Sequence, residues 1–187
     1  VDLIKGVEVL LSKDGIFVFE EPYLGSMLKK TSYDQIYDAH VFMFSVLSVQ
    51  KIFNDFNFDL IDVHPQITHG GSMRYVIGRK GIKDISPKIK NFIKNELAMK
   101  MDNIEAYIKF KKECEISKDN FTKKIFKLKN DKKKICGYAA TAKSSTVLNY
   151  CQIGKEVIDF IADSTSEKIG KFSPGMHIPI VSIEEFR

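Results

Sequence analysis

The chain has 187 residues, 44% hydrophobic and 28% charged. That is enough apolar material for one large or two small folded domains and too much for wholesale disorder. Its formal charge of +5 is modest, and most of the excess lies between Lys109 and Lys134, a local feature that lends little support to nucleic-acid binding. Three widely spaced cysteines, Cys114, Cys136 and Cys151, without a CxxC pair, point to a reducing compartment and to neither a disulfide framework nor a zinc site, so no metal is expected.

No apolar run approaches the roughly 18 residues of a membrane span, and no signal-peptide pattern is present, which makes the cytoplasm the expected location and excludes a membrane partner. The first residue is Val1, and Arg187 follows closely on a strand and the start of a helix. The chain is therefore expected to be a piece of a longer protein.

Apolar residues at 3, 4, 7, 10 and 11 predict an amphipathic helix at the start. Ser12-Lys13-Asp14-Gly15 breaks it, and Ile16-Phe17-Val18-Phe19 reads as a short strand of the buried kind. This strand runs directly into Glu20-Glu21-Pro22-Tyr23. Ligands of open α/β sheets collect beyond the carboxyl ends of strands, so Glu20 and Tyr23 are candidate substrate contacts.

If the segment from Ser32 is helical, Tyr33, Tyr37 and His40 fall at i, i+4 and i+7 on one face. An imidazole beside two phenols is suited to taking a proton from carbon and holding the resulting oxyanion. The competing reading is that these residues are half-buried and close a core.

Leu47 to Phe56 reads as a helix with Ser48 as a plausible N-cap. Asp59–Thr68 alternates in part, and Met73–Ile77 is another strand. The intervening His69-Gly70-Gly71-Ser72 suggests an antiparallel pair at a sheet edge. His69 sits where bare backbone can approach a ligand closely, and Arg74 is able to pair with a phosphate, although a strand arginine more often lies on a solvated face. His64, before Pro65, reads as structural.

Ser86-Pro87 is a helix-start signal. From there to about Lys134 the pattern is helical and lysine-rich, with an interruption expected at Ser117–Asn120. The lysines at 123, 124, 127, 129 and 132–134 read as a solvated face.

A second unit is expected from Lys134. A strand at 134–138 enters the small-residue loop Ala139–Ser145, a helix covers Thr146–Gln152, and a second strand runs from Val157 to Ala162 with Asp163 at its tip. Strand, tight loop, helix and strand with a terminal acid is the layout of a mononucleotide-binding half, although only Gly137 survives of the glycine fingerprint. Lys143 and Ser144, near a helix N-terminus, are candidate phosphate contacts. A third short strand follows the Pro/Gly-rich loop 170–180, where His177 reads as a packing residue.

Five segments taken together carry a resemblance: FVFEEPYLGSML (17–28), YDQIYDAHVFMFS (33–45), HGGSMRYVIG (69–78), GYAATAKSSTVLNYCQI (137–153) and GKFSPGMHIPI (170–180). In this order they resemble the S-adenosylmethionine-dependent C-methyltransferases that act on nucleotide-linked ketosugars. The resemblance implies an α/β fold: the end of a Rossmann-like methyltransferase sheet over 1–83, then a helical connector and a small, incomplete Rossmann-like C-terminal domain over 84–187. It implies S-adenosylmethionine as cofactor, with its main binding loop upstream of this chain, and a nucleotide-sugar as substrate.

The family's base is the histidine closing a Q-I-Y-x-E-H motif, which maps onto His40. The motif's tyrosine maps onto Tyr37 and its glutamine onto Gln35. Its glutamate falls on Ala39, so the carboxylate expected to orient the base is missing. On a helix Asp38 would point about 100° away. Two other readings stay open: a non-catalytic module that binds a nucleotide-sugar, and a nicotinamide-dependent oxidoreductase suggested by Asp163 after the second strand.

Overall fold

In a computed structural model the chain is described from residue 2 to residue 186 and forms two compact units. The first groups the stretch up to Ser32 with Phe42–Phe110. The second groups Tyr33–Val41 with the chain from Lys111 onward. Both are mixed α/β. No helix among the described residues is long and apolar enough to cross a membrane.

In the first unit, helix α1 (Asp2–Leu10) buries Ile4 and Val7 and leaves Leu3, Val9 and Leu10 exposed. Strands β1 (Ile16–Pro22), β2 (Phe58–Gln66) and β3 (Ser72–Arg79) form an antiparallel sheet in the order β1-β3-β2. The hairpin expected around Gly70-Gly71 is present as β2–β3, and β3 is the central strand.

The expectation of a two-face-buried first strand is corrected. β1 lies at the sheet edge, where only one face meets the core. Phe17 and Phe19 pack inward, while Ile16 and Val18 remain 50% and 43% exposed. The strand also continues through Glu20 and Glu21, which pair with Arg74 and Met73.

The partial alternation of β2 has a local cause. A bulge lies between Leu60 and Asp62, so the inward phase shifts from Phe58 and Leu60 to Val63. The bulged Ile61 turns its carbonyl to the Ser86 N–H (2.8 Å). Ser86 then caps α4 (Pro87–Ala98), with Pro87 in its first turn.

Helix α2 (Leu24–Lys30) ends where Thr31 turns left-handed (φ 55°). Helix α3 (Val46–Asn54) is capped by Ser45, and Ser48 closes the reciprocal half of a capping box. Ser48, expected as the cap, is thus its partner three residues on.

Glu96 is the least expected element of this core. It is fully buried (0% exposed) on the face of α4 that also carries Ile89, Phe92 and Ile93. Its Oε1 accepts from Val46 N–H (2.7 Å) and Tyr23 O–H (2.8 Å), and its Oε2 accepts from Leu47 N–H (2.8 Å). A carboxylate of one helix therefore satisfies the first free amides of another, where the helix dipole favours negative charge.

The interruption expected at Ser117–Asn120 is also corrected. Helix α5 (Ile104–Asn130) runs through those residues without a break. The break lies earlier: Lys100 is left-handed (φ 57°), Met101 N–H returns to Glu96 O (3.0 Å), and the Asn103 side chain accepts from Glu105 N–H (3.0 Å). Backbone closure around a buried Met101 decides the end of α4, and periodicity alone does not reveal it.

The second unit holds three parallel two-residue strands, β4 (Gly137–Tyr138), β5 (Ile161–Ala162) and β6 (Ile180–Val181), in the order β4-β5-β6. Helix α6 (Ala142–Cys151) connects β4 to β5. It starts earlier than Thr146 because Thr141 and Ser144 form a capping box. Its core gathers Leu148, Cys151, Ile153, Val157, Ile158, Ile161 and Ile178, with Phe121 and Ile125 of α5 packed against them. Lys123, Lys124, Lys127 and Lys132–134 are exposed, the solvated face that their pattern predicts, whereas Lys129 is half-buried and pairs with Asp159 at 3.5 Å.

The Glu96 linkage makes a direct prediction for stability. Glu96→Ala strands two helix amides and a partly buried phenol, and is expected to lower the unfolding free energy by about 2–4 kcal/mol. Tyr23→Phe removes one of the three bonds and should cost about 1 kcal/mol. Urea unfolding of both variants checks the ranking, which an equal effect of the two would contradict.

Candidate functional site

The structure divides the sequence-predicted residues between the two units. Glu20, Tyr23, His69 and Arg74 belong to the first; Gln35, Tyr37, His40, Lys143 and Ser144 belong to the second.

In the first unit, Glu20 and Arg74 are directly opposed across β1 and β3. The Arg74 guanidinium reaches Glu20 Oε2 at 3.0 Å, and the Thr68 hydroxyl donates to Oε1 at 2.7 Å. The Thr68 hydroxyl and then Arg74 hold the Glu20 carboxyl below its ordinary value. His64 lies across from Arg74 on β2 and pairs with Asp62 at 3.1 Å. A polar strip thus runs across the outer face of the sheet.

Tyr23 points the other way. Burial first, and then the Glu96 carboxylate, push its phenol well above the usual range. The turn bearing His69 packs on α2. Gly71 (φ 136°) has its bare face against Ser26, whose Oγ would lie 2.5 Å from an added Cβ. The close approach that this glycine permits is therefore made to Ser26.

In the second unit, the helical expectation for Ser32–His40 is corrected. Tyr33–Gln35 is a single 3₁₀ turn, and the chain then bends so that His40 N–H donates to Tyr37 O (3.1 Å). The three rings consequently do not share a helical face. Tyr37 and His40 meet, with ring centroids 5.0 Å apart and planes at 73°. Tyr33 goes elsewhere: its ring packs on Tyr150 at 5.1 Å, and its hydroxyl lies 3.8 Å from Cys151 Sγ. Burial, aided by Cys151, pushes the Tyr33 phenol up to about 12. Gln35 is buried, whereas Ala39 and Asp38 are exposed in the turn. With no helix through this segment, Asp38 is not turned about 100° from its neighbour by helical geometry.

Lys143 and Ser144 occupy the first turn of α6. The Ser144 hydroxyl is engaged by its own cap, donating to Thr141 O (2.7 Å) and accepting from Thr141 N–H (2.9 Å). Lys143 Nζ lies 4.0 Å from Asp34 Oδ2. Both residues border a cavity of about 430 Å3 whose walls include Phe121, Val147, Leu148 and Ile158. Tyr33, Asp34 and Ser144 also line it. Among the described residues no group of three or more His, Cys, Asp or Glu is arranged to hold a metal ion.

Asp163 follows β5 directly, as its position predicts, but its carboxylate is engaged internally. It accepts from Thr165 N–H (2.8 Å) and Ala140 N–H (2.7 Å), with Lys168 Nζ at 3.4 Å. Thr165, chiefly through its side chain, then Ala140 and Lys168 hold the carboxyl down to about 2. This acid closes the β4–α6 loop, which removes the observation that suggested a nicotinamide-dependent oxidoreductase.

Sequence reasoning missed Glu96, Asp34 and Thr146. Glu96 carried a signal, because it falls at i+7 from Ile89 and i+4 from Phe92 on an apolar stripe. Thr146, whose hydroxyl donates to Ile36 O (3.1 Å) across 110 residues of sequence, carried none.

Asp163 also makes stability depend on pH. Its folded value lies below the ordinary value of 3.8, so the stabilisation is complete above about pH 4 and is lost as pH falls toward 2. Asp163→Asn is expected to lower the melting temperature at pH 7 and to make little difference near pH 2. Thermal unfolding across that range checks this, and a gap independent of pH would contradict it.

Residues 67–187 match the family described as the C-methyltransferase C-terminal domain. Over 185 residues the chain is 30% identical to C-methyltransferase NovU of Streptomyces niveus, an alignment that covers 98% of this chain and 44% of that protein. The chain therefore spans less than half the length of this curated relative. With the family match extending over most of its residues, the chain belongs to the C-methyltransferase family.

Proposed function

We propose that the intact protein is a cytoplasmic, S-adenosylmethionine-dependent C-methyltransferase acting on a nucleotide-linked ketosugar, and that His40 removes the proton on the carbon next to the ketone. The observation that carries this reading is the Tyr37–His40 pair, two partly exposed rings 5.0 Å apart at a tight turn.

His40 takes the proton on an imidazole nitrogen. The electron pair of the broken C–H bond becomes the enolate, with charge developing on the ketone oxygen. The Tyr37 phenol is suited to donating a hydrogen bond to that oxygen. A positioned base of this kind accelerates the step by roughly 10²–10⁴-fold.

The implied methyl donor supplies an electrophilic methyl group when bound. The carboxylates of Glu20, within β1, and of Asp163, just after β5, are both engaged by neighbours. They do not fit a cradle for the donor's ribose, so residues outside this chain are proposed to hold it and no step is assigned to it.

Glu20, His69 and Arg74, exposed in the first unit, and Lys143, at the cavity of the second, are proposed to contact substrate, whereas Tyr23, Gln35 and the Ser144 hydroxyl are taken up inside the fold. Lys143, beside an apolar cavity and in the first turn of a capped helix, supports a nucleotide diphosphate at that end. Residues 1–83 are proposed to complete a Rossmann-like methyltransferase sheet. Residues 84–187 are proposed to form a connector and a Rossmann-like domain. The parallel β4-α6-β5 arrangement supports the second assignment.

Ala39, where the family places a glutamate, favours a second reading in which the chain binds the nucleotide-sugar without catalysis. Two measurements on the intact protein separate these readings. His40→Ala is expected to reduce methyl transfer, and deuterium exchange alpha to the ketone, by roughly 100-fold or more. Exchange at the wild-type rate would remove His40 from the role. If the wild type binds nucleoside diphosphate-sugars by calorimetry yet neither exchanges nor methylates them, the binding reading replaces the catalytic one.

A further inference from the structure

We propose that helix α6 is the platform that positions the Tyr37–His40 pair, and that Thr146 is its principal positioning residue. The functional weight of this inference rests on the reading of His40 as the base.

Residues 33–41 are far from α6 in sequence but belong to the same compact unit. Three of the first four fasten to it. The Tyr33 ring packs on Tyr150 at 5.1 Å. Asp34 Oδ2 lies 4.0 Å from Lys143 Nζ. Ile36 O accepts from Thr146 Oγ1 at 3.1 Å. Lys143, Thr146 and Tyr150 stand at i, i+3 and i+7 of α6, a single face of that helix.

The Thr146 contact bears directly on backbone conformation. In an α-helix His40 N–H would donate to Ile36 O, four residues back. Here Ile36 O receives the Thr146 hydroxyl, and His40 N–H donates to Tyr37 O instead. The Thr146 hydroxyl thereby holds Ile36 O in the orientation of the turn that brings Tyr37 against His40. The Thr146 hydroxyl also lies 3.3 Å from Ala142 O, its own i−4 carbonyl. Its single proton serves one acceptor at a time, and the Ile36 contact is the shorter.

The test uses Thr146→Val, which removes the donor and keeps the shape, in the intact protein with carbon-13-labelled histidine. The His40 ring resonances are expected to shift while those of His64, His69 and His177 stay in place. The kcat for methyl transfer should fall roughly tenfold at unchanged substrate KM, the scale of a sub-ångström misplacement of a base. Thr146→Ser, which retains the hydroxyl, should restore both readouts. Asp34→Asn loosens the same segment from a partly exposed position and is read in the same way if the valine variant does not fold.

His40 resonances unchanged in the valine variant, or in Asp34→Asn where that variant replaces it, would overturn the platform, whatever happens to activity. If those resonances move but His40→Ala still methylates at the wild-type rate, the platform stands and the assignment of His40 as base is the reading that fails.

Discussion

The carboxylate of Glu96 is the constraint on which the first unit depends. It is fully buried and receives three hydrogen bonds, two from the opening amides of α3 and one from Tyr23. A buried anion is tolerated only when its lone pairs are met, and the positive end of a helix supplies that environment. The arrangement is reciprocal, because α3 would otherwise begin inside the protein with unsatisfied donors. Tyr23, which immediately precedes α2, thereby ties three helices to one carboxylate.

That tie relies on the sheet being built correctly. The bulge in β2 frees Ile61 O to hold Ser86, Ser86 starts α4, and the register of α4 delivers Glu96 to the amides of α3. A one-residue slip in β2 would move Phe58, Leu60 and Val63 to the wrong face as well as displacing this helix start. The polar strip of Glu20, Arg74 and His64 on the opposite face follows from the same register.

The second unit is held differently. Its strands are two residues each, too short to be stable through pairing alone, and side chains complete the work. Asp163 clamps the loop between β4 and α6, and Thr141 with Ser144 caps that helix. One face of α6 receives Tyr33, Asp34 and Ile36. The histidine-bearing turn is thus assembled on a helix that starts about a hundred residues later in the chain, by contacts among groups that are individually weak and act together.

Much of this was legible in the residues. Apolar periodicity located α1, α3 and α4, the Gly70-Gly71 pair located the β2–β3 hairpin, and Ser86-Pro87 located a helix start, because each reports a local preference of the backbone. The small-residue loop and Asp163 located the parallel β4-α6-β5 unit. Tertiary structure alone decided the rest. It made β1 an edge strand, moved the helix break from Ser117 to Met99–Asn103, and turned Asp163 inward. It also separated Tyr33, which packs on Tyr150, from the Tyr37–His40 pair, and gave Ile36 O a partner in Thr146. Local pattern determines which segments are able to form a helix or strand, whereas the partner of each polar group is set by residues that only folding brings near.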